Sequence, residues 1–289
     1  MQQNPQIEDY KQPICHGGLR CQGLSKYSNS KNPLISIVTV VFNAEKTIEA
    51  TIQSVLNQSY RNIEYIIVDG CSNDNTLNIV RRYENVIDCF VSEKDKGIYD
   101  AMNKGISLCT GDIIGILNSG DIYELDALSE VIECYEKNLN SLICGNVKQL
   151  LDTPLRWVIL SGTLKNLPYK VIPHPAAFVP ISLYKKYGIF DTTLKLGSDY
   201  DFFCRCFIDN INFIHLDKTL TNMSPRGASG NYYLVALEHF KIRLKYQLSI
   251  VQSVTKFSLS LITITGHFIL EKVGLWTFVE SKRHNKVIP

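Results

Sequence analysis

Polar and acidic residues follow four short apolar runs in the first part of the sequence, each at the point where the run ends. If these runs are strands of one parallel sheet, the residues meet at a single edge, because ligands of parallel α/β sheets bind beyond the carboxyl ends of the strands. Such an edge is a nucleotide site by position. The four groups are Phe42-Asn43, Asp69-Gly70, residues 93–97 and residues 118–121.

The negative charge of a diphosphate at this edge would have to be neutralised by something other than the backbone N–H groups of a Gly-rich loop. The sequence has no Gly-x-Gly-x-x-Gly after the first run and no Gly-Lys-Ser/Thr. Asp121 ends the fourth group and is placed to bind a divalent cation, since Mg²⁺ in proteins takes one or two carboxylates together with phosphate oxygens. We therefore expect Mg²⁺ or Mn²⁺ at Asp121. The alternative is that Asp121 only caps a helix that follows it.

The first three groups contain residues suited to a nucleoside diphosphate. Asp69 is placed to accept a hydrogen bond from a base N–H or a ribose hydroxyl, and Phe42 is placed to contact the base. The alternative for Asp69 is an Asx turn with Gly70. Lys96, in the third group, is placed either to neutralise a phosphate or to lie in solvent.

The elements that must position these residues alternate along the chain. Several apolar runs are continuous, as expected of strands covered on both faces, and helical stretches separate them. This order predicts an α/β fold with a mostly parallel, Rossmann-like sheet flanked by helices. The predicted strands are residues 34–41, 63–68, 89–91, 113–117, 142–147 and 211–216, and the predicted helices are residues 45–57, 76–83, 98–107, 125–137, 181–187 and 200–208.

Length and composition are those of an ordinary globular protein. The 289 residues are 45% hydrophobic and 20% charged, with a net charge of +2, which excludes a disordered or fibrous chain. At about 150 residues per domain, this length indicates two domains or one large domain with an appendage. Residues 1–33 contain prolines and paired glycines without periodicity, so we expect an N-terminal arm with little part in the chemistry.

The cysteines and the N-terminus bear on the cellular compartment. Nine cysteines are scattered without a Cys-x-x-Cys pair, so neither a zinc site nor a disulfide framework is expected. The first ten residues are polar and lack the apolar segment of a signal peptide, so secretion is not expected. Both features predict a cytoplasmic protein whose thiols stay reduced.

The tail, residues 231–289, is basic. It has eight Lys and Arg against three Glu, or +5, whereas the first 230 residues sum to −3. Residues 257–270 carry no formal charge but are fewer than the ~20 needed to span a bilayer, which favours a buried or interfacial helix. We expect the tail to contact an anionic inner membrane face, and an ordinary solvated face is the alternative. A helical stripe predicts one apolar face, formed by Tyr233, Leu237, Phe240, Leu244 and Leu248.

Four motifs occur in order: ISIVTVVFNA at 35–44, VDGCSND at 68–74, DKGIYDAMNKG at 95–105 and LNSGD at 117–121. Together they resemble family 2 glycosyltransferases of the GT-A fold, particularly the bacterial branch that assembles O-antigen, colanic acid and other exopolysaccharides. The resemblance implies a nucleotide-sugar-binding half at residues 34–122, an acceptor-binding half at residues 123–230 and a C-terminal helical extension.

The resemblance also implies an activity. It is an inverting transfer of a sugar from a nucleotide-diphosphate sugar, most often a UDP-sugar, to a hydroxyl of a lipid-linked saccharide. Asp69 resembles the aspartate that hydrogen-bonds uracil, and Phe42 with Asn43 resembles the wall of the base pocket. Further donor-side residues that match the branch motif are Asp95, Lys96 and Asn103.

At the fourth motif the chain both matches and departs from the family. Asp121 resembles the metal ligand that ends the Asp-x-Asp region. The two preceding acidic positions hold Asn118 and Gly120 instead, which implies a weaker hold on the metal.

Downstream, Gly197-Ser198-Asp199 resembles the Glu-Asp motif of the family, with Ser198 in place of Glu. Asp199 aligns with the catalytic base, which removes the acceptor proton as the hydroxyl attacks the anomeric carbon. The alternative for Asp199 is a helix N-cap. His174 aligns with a histidine of this branch and is expected on the acceptor side, with a packed structural histidine as the alternative.

Two other functions fit parts of the sequence. A sugar nucleotidyltransferase needs a Gly-rich basic loop after the first strand, but residues 42–47 contain neither Gly nor Arg. A nucleotide-sugar-binding or scaffold subunit without turnover is suggested by Asn118 and Gly120. No nucleic acid partner is expected, and the chain is expected on the cytoplasmic side of the membrane.

Overall fold

The computed structural model of the chain describes residues 5–10, 12–150, 157–160, 168–169, 171–224 and 231–272. The chain divides into two compact units, Met1–Gly227 and Ala228–Pro289. The first unit contains a sheet covered by helices on both faces, and the second contains a pair of helices.

The sheet of the first unit begins with four parallel strands. Their apolar, mostly β-branched sequences are buried almost throughout, as expected of strands covered on both faces. The spatial order is β3-β2-β1-β4, and each of the four predicted strands is confirmed to within one residue at either end. The strands are β1 (Ile35–Val41), β2 (Ile63–Asp69), β3 (Cys89–Ser92) and β4 (Ile113–Ile116).

Helices connect these strands and cover the two faces of the sheet. Residues of α1 (Ile48–Leu56) and α2 (Thr76–Arg81) join the apolar cluster on one face, and residues of α3 (Ile98–Leu108) join the cluster on the other. All three helices were predicted. The first begins three residues later than expected because a turn precedes it, in which the Thr47 N–H donates to the Ala44 carbonyl (3.0 Å).

The second half of the sheet is mixed rather than mostly parallel. β8 (Ala177–Pro180) pairs antiparallel with both β4 and β6 (Leu142–Leu150), and β9 (Phe213–Met223) pairs parallel with β6. β5 (Ile122–Tyr123) pairs with β9, and β7 (Trp157–Leu160) pairs with β6. β5, β7 and β8 were not predicted, because runs of two to four residues carry no readable periodicity. The predicted helices are confirmed as α4 (Ala127–Lys137), α5 (Ile181–Tyr187) and α6 (Ser198–Ile208).

The N-terminal arm pairs with the outer edge of the sheet. The His16 N–H donates to the Phe90 carbonyl (2.8 Å), and the Phe90 N–H donates to the Gly17 carbonyl (3.0 Å). A disulfide joins Cys15 in the arm to Cys89 in β3. The expectation of no disulfide is therefore wrong for this pair. The two cysteines are 74 residues apart in sequence, and only the pairing of the arm with β3 brings their Cα atoms to 5.6 Å.

The second unit contains α7 (Tyr232–Lys245) and α8 (Ile250–Lys272). Phe240 stacks on Phe257 with ring centroids 4.8 Å apart, and the Tyr233 hydroxyl lies 3.3 Å from Thr265 Oγ1, so the helices run antiparallel. Within the described part of the chain, no helix has both the length and the apolar character that crossing a bilayer requires.

The predicted apolar stripe of α7 is not its buried face. Tyr233, Leu237 and Leu244 are exposed. The stripe interpretation assumed that the apolar side of the helix would be covered, whereas in the structure the covered side also contains charged residues. The buried residues of α7 are Ala236, Glu238, His239, Ile242 and Arg243.

Candidate active site

The loops that follow β1 and β2 are tied to each other at the predicted edge. Asn43 has a left-handed backbone (φ 48°), and its N–H donates to Ser72 Oγ (2.8 Å) while its side-chain oxygen accepts from the Asn73 N–H (2.9 Å). Phe42 beside it is 60% exposed. Asn43 therefore holds the loops in place, and Phe42 presents an open aromatic face at the edge.

Asp69, the last residue of β2, is buried at this edge. Its carboxylate accepts hydrogen bonds from the N–H (3.2 Å) and hydroxyl of Ser72 and from the Ser92 hydroxyl (2.6 Å). These bonds join the second and third strand ends around one carboxylate.

Asp95 and Phe42 approach each other across Gly70. A Cβ atom built on Gly70 would lie 2.4 Å from Asp95 Oδ2, so any other residue at position 70 would displace the Asp95 carboxylate, and it would lie 3.4 Å from Phe42 Cδ2, an ordinary contact. Asp95 Oδ1 accepts from the Gly97 N–H (2.9 Å). Lys96 has an exposed side chain, and its N–H donates to Asp100 Oδ2 (3.1 Å).

The N-terminal arm contacts residues that flank the third loop, residues 93–97. The Tyr10 hydroxyl donates to Asp100 Oδ1 (3.2 Å), and the Ser92 N–H donates to His16 Nδ1 (3.0 Å). The arm thus contacts two residues that hold the donor-side loops.

Asn103 is not brought to the edge. It is fully buried in α3, where its amide nitrogen donates to the Phe190 carbonyl (2.8 Å) and the Tyr10 hydroxyl (3.0 Å), and its oxygen accepts from the Phe190 N–H (3.0 Å). The polar atoms of the side chain are thereby engaged within the protein. Asn103 braces α3 against the segment around Phe190, and we do not retain it as a donor-binding residue.

Asp121 follows β4 after Gly120, which has a left-handed backbone (φ 99°). It leads into β5 rather than a helix, which rules out the helix-capping alternative. Its carboxylate is buried, and Oδ1 accepts from the Ser224 N–H (2.9 Å). Burial raises the pKa of Asp121 to about 6, and the hydrogen bond from the Ser224 N–H partly opposes this rise.

The surroundings of Asp121 fit a divalent cation held partly by a substrate. Among the described residues Asp121 forms no ion pair, and no group of three or more His, Cys, Asp or Glu is arranged to hold a metal. Mg²⁺ at phosphate sites typically takes only one or two carboxylates and completes its shell with water and phosphate oxygens. A single buried carboxylate, without a cluster of further ligands among the described residues, suits that mode of binding better than a cage made of protein alone.

Asp199 lies in the first turn of α6, where Gly197 occupies the N-cap position. The Tyr99 hydroxyl donates to Asp199 Oδ1 (2.9 Å), and His174 Nδ1 lies 3.5 Å from Oδ2. Burial and the neighbouring Asp199 raise the pKa of Tyr99 well above its ordinary value, so Tyr99 remains a hydrogen-bond donor. Asp201, by contrast, is fully buried and pairs with Arg205 Nε (3.1 Å).

His174 lies between Asp199 and the fourth strand end. It begins the short helix His174–Ala176, and its Nε2 lies 3.0 Å from Asn118 Nδ2. Asn118 Oδ1 is buried and has no hydrogen-bond partner among the described residues. The structure therefore links Tyr99, Asp199, His174 and Asn118 in one series.

Two members of this series were not among the predicted site residues. Tyr99 lies inside the third motif as the second residue of α3, and an aromatic ring with a polar tip within that motif was a usable signal. Asn118 stood out only as a departure from the family. The contact that gives it a role, with His174, spans 56 residues and had no local signal.

A sequence model of the family described as Glycosyl transferase family 2 matches residues 36–193, more than half of the chain. The chain is 31% identical to an uncharacterized glycosyltransferase of Mycobacterium tuberculosis over 185 residues, which are 60% of this chain and 68% of the relative. It is 31% identical over 180 residues to a PGL/p-HBAD biosynthesis glycosyltransferase of Mycobacterium bovis, covering 61% of this chain and 70% of that protein.

Solved structures share the fold. Staphylococcus aureus TarS 1–349 in complex with UDP-GlcNAc matches with a TM-score of 0.63 at 18% identity, over 84% of this chain and 78% of that one. The mannosyltransferase PcManGT from Pyrobaculum calidifontis, in complex with GDP-Man and Mn²⁺, matches with a TM-score of 0.59 at 16% identity, over 86% and 80%. A longer TarS chain is covered to 43%. These matches confirm the predicted GT-A type of α/β fold.

Proposed function

Because the chain belongs to glycosyl transferase family 2, we propose that it transfers a sugar from a nucleotide-diphosphate sugar to an acceptor hydroxyl, with inversion at the anomeric carbon. The observation that carries this proposal is the placement of Asp199. Its carboxylate is oriented by Tyr99 and lies beside His174, which contacts the strand end that also leads to Asp121.

In the proposed reaction Asp199 is the general base. Its carboxylate accepts the proton of the acceptor hydroxyl while the hydroxyl oxygen bonds to the anomeric carbon. The bond from that carbon to the diphosphate breaks, and its electron pair leaves with the diphosphate. A single displacement of this kind inverts the anomeric centre. The Tyr99 hydroxyl holds Asp199 Oδ1, which limits the carboxylate to one orientation and places it for the transfer.

We propose a UDP-sugar as the donor. Phe42 offers an exposed ring to the base, Asp69 supplies the acceptor for a base N–H, and Asp95 with Lys96 lies beside them. Asn43 contributes by holding the loops rather than by contact. TarS structures contain UDP or UDP-GlcNAc, which supports a UDP-sugar, and PcManGT contains GDP-Man, which makes a GDP-sugar the second candidate.

The proposed cofactor is Mg²⁺ or Mn²⁺ at Asp121. When bound, such a cation neutralises the charge that develops on the diphosphate leaving group. The buried Asp121 carboxylate, which forms no ion pair within the described residues, supports this site, as does the Mn²⁺ in the PcManGT structure. Asn118 and Gly120, which occupy the two positions where the family has acids, supply no further carboxylate.

We propose a lipid-linked saccharide as the acceptor, in the synthesis of a surface polysaccharide, with residues 231–289 contacting the anionic inner face of the cell membrane. Exposed apolar residues and exposed lysines on α7 and α8 support the membrane contact. They include Tyr232, Leu244, Ile250, Val251, Lys241 and Lys256.

Replacing both Lys241 and Lys256 by Glu should weaken binding of the full-length chain to vesicles that contain phosphatidylglycerol, since each basic residue contributes about 1 kcal/mol near such a surface. Equal binding by the variant would contradict the proposal.

The activity is tested by incubating the full-length protein and Mn²⁺ with UDP-glucose, UDP-galactose, UDP-GlcNAc or GDP-mannose, with and without a polyprenyl-linked saccharide. We expect one donor to be consumed, and we expect NMR of the product to show the inverted anomer. Asp199→Asn should abolish this turnover. Asp209→Asn, which changes an exposed carboxylate just after the other end of α6, is the matched control and should retain it.

The alternative is a binding or scaffold subunit without turnover, which Asn118 and Gly120 favour. It predicts that UDP binds in calorimetry with the same affinity in Mn²⁺ and in EDTA, and that no donor is consumed. That pair of results would overturn the proposed enzyme.

A further inference from the structure

The series of polar side chains from Tyr99 to Asn118 connects the proposed base to the fourth strand end. Tyr99 donates to Asp199 Oδ1 (2.9 Å), Asp199 Oδ2 lies 3.5 Å from His174 Nδ1, and His174 Nε2 lies 3.0 Å from Asn118 Nδ2. Asn118 Oδ1 is buried without a hydrogen-bond partner among the described residues. The contact with His174 is therefore the bond that orients the Asn118 amide.

The hydrogen-bonding capacities of these groups determine where the proton of His174 lies. An ionised carboxylate only accepts hydrogen bonds, so the ring nitrogen that faces Asp199, Nδ1, carries the hydrogen. The amide nitrogen of Asn118 only donates, so the ring nitrogen that it faces, Nε2, presents its lone pair. His174 is then neutral, with its hydrogen on Nδ1.

We propose that Asn118 is a positioning residue that holds His174 in this tautomer, so that a neutral ring presents its Nδ1–H to the Asp199 carboxylate, 3.5 Å away. The proposal deepens the function given above and rests on Asp199 being its base. The proposal gives a role to Asn118, whose amide occupies a position at which the family has an acidic residue.

An aspartate at position 118 would have the opposite effect on His174. Its carboxylate would accept from Nε2, so that His174 would lie between two carboxylates, an arrangement that favours the imidazolium. A cation beside Asp199 stabilises the ionised carboxylate and makes it a weaker base. The neutral amide at position 118 leaves a neutral ring beside Asp199, whose Oδ1 also accepts from the neutral Tyr99 hydroxyl.

The structure contains a second histidine–asparagine pair, which provides a control. In this pair the histidine faces the oxygen of the asparagine amide rather than its nitrogen. His215 Nε2 lies 2.9 Å from the side-chain oxygen of Asn146, so His215 donates from Nε2. Asn146→Asp makes the same change of side chain beside a different histidine, and it also brings the new carboxylate to Asp217, which accepts from Asn146 Nδ2 (3.1 Å) in the wild type. It should leave the signals of His174 unchanged.

The tautomer is measured directly by NMR of the full-length protein labelled with ¹⁵N-histidine, with His174 assigned from the signals that disappear in His174→Gln. We expect protonated Nδ1 and unprotonated Nε2 in the wild type, and protonated Nε2 in Asn118→Asp. A wild-type His174 that carries its hydrogen on Nε2, or an Asn118→Asp spectrum identical to the wild type, would overturn the proposal. This measurement requires no turnover, so it is decided even if the proposed function fails.

Kinetics with the donor that the wild type consumes give the second readout. A positioning role predicts that Asn118→Asp lowers kcat roughly tenfold, because the imidazolium beside Asp199 makes that carboxylate a weaker base, with donor KM unchanged. If Asn118 is instead a degenerate metal ligand, restoring the acid raises kcat and tightens Mn²⁺ binding measured by calorimetry. That result would overturn the proposal while leaving the glycosyltransferase function intact.

Discussion

The donor edge and the base side of the site are built from contacts of different range. At the donor edge, Asp69 is held by Ser72 and Ser92, which are 3 and 23 residues away, and Asn43 is held by the loop that follows the next strand. On the base side, Asp199 is held by Tyr99, 100 residues away, and His174 is held by Asn118, 56 residues away. The donor-edge residues are thus joined to one another by contacts between neighbouring strand ends, with the N-terminal arm as an additional support. The base side requires both halves of the sheet.

This difference predicts how each region responds to change. A substitution at the donor edge alters one loop and should show in donor affinity. A substitution on the base side alters the relative placement of α3, α6 and the helix His174–Ala176, and should show in kcat. The variants that follow separate these two outcomes.

The largest effect is expected for Asp199→Asn. The amide cannot take the acceptor proton, and general base catalysis contributes about 10²–10⁴-fold, so we expect kcat to fall by about 10³-fold. The affinity for UDP, measured by calorimetry, should stay within about threefold, because Asp199 belongs to the base side. A variant that keeps kcat and loses UDP affinity would show that the two regions are not separate in function.

The parallel half of the sheet and the donor edge were largely predictable from sequence. Its strands are continuous apolar runs, and the polar residues at their ends must converge once the strands are parallel. Helix positions were predicted for the same reason.

What could not be predicted depends on contacts between distant segments. The Cys15–Cys89 disulfide needs the arm to pair with β3, and the series from Tyr99 to Asn118 needs α3 and α6 to meet. The buried face of α7 was misjudged, because its apolar stripe did not show which side of the helix would be covered. Periodicity reports which residues are apolar, and it does not report which surfaces are available to them.

The second-largest effect is expected for Asp121→Asn, as a change in the free energy of unfolding measured in EDTA. Its pKa of about 6 exceeds the ordinary value of 3.8, so the folded state disfavours the ionised carboxylate. The stability that the neutral form confers is present at low pH and is lost as the pH rises through about 6. Asp121→Asn removes this charge, and we expect its free energy of unfolding at pH 8 to exceed that of the wild type by about 3 kcal/mol.

Urea unfolding at two pH values tests this expectation. The advantage of Asp121→Asn should shrink to about 1 kcal/mol at pH 4.5, where the folded wild type is largely protonated. Asp126→Asn, a change to an exposed carboxylate five residues on, is the control and should show no such dependence on pH. Added Mn²⁺ and UDP should stabilise the wild type more than Asp121→Asn. An equal advantage at both pH values would mean that Asp121 is not desolvated.

A smaller effect is expected at Asp69. Asn at this position keeps the shape but replaces one accepting oxygen by a donor, which then faces a hydroxyl of Ser72 or Ser92 and cannot accept from a base. Hydrogen bonds to a charged group contribute about 1.5–3 kcal/mol, so UDP affinity should fall about 10- to 100-fold. Ser72→Ala removes one partner and keeps the carboxylate, so its loss should be smaller. A selective fall in kcat for Asp69→Asn would place this residue with the base side instead.

The smallest effect is expected for Tyr99→Phe, and it tests the base side most directly. The ring remains and keeps its packing against Phe190, with centroids 5.5 Å apart, so only the hydrogen bond to Asp199 is lost. A net contribution of about 1 kcal/mol corresponds to a fall of roughly fivefold in kcat, with donor KM unchanged. Because Tyr99 acts only through Asp199, the double variant with Asp199→Asn should be no slower than Asp199→Asn alone. If the two losses multiply instead, Tyr99 contacts the substrate itself, and the base side extends to α3 as a binding surface rather than as a support.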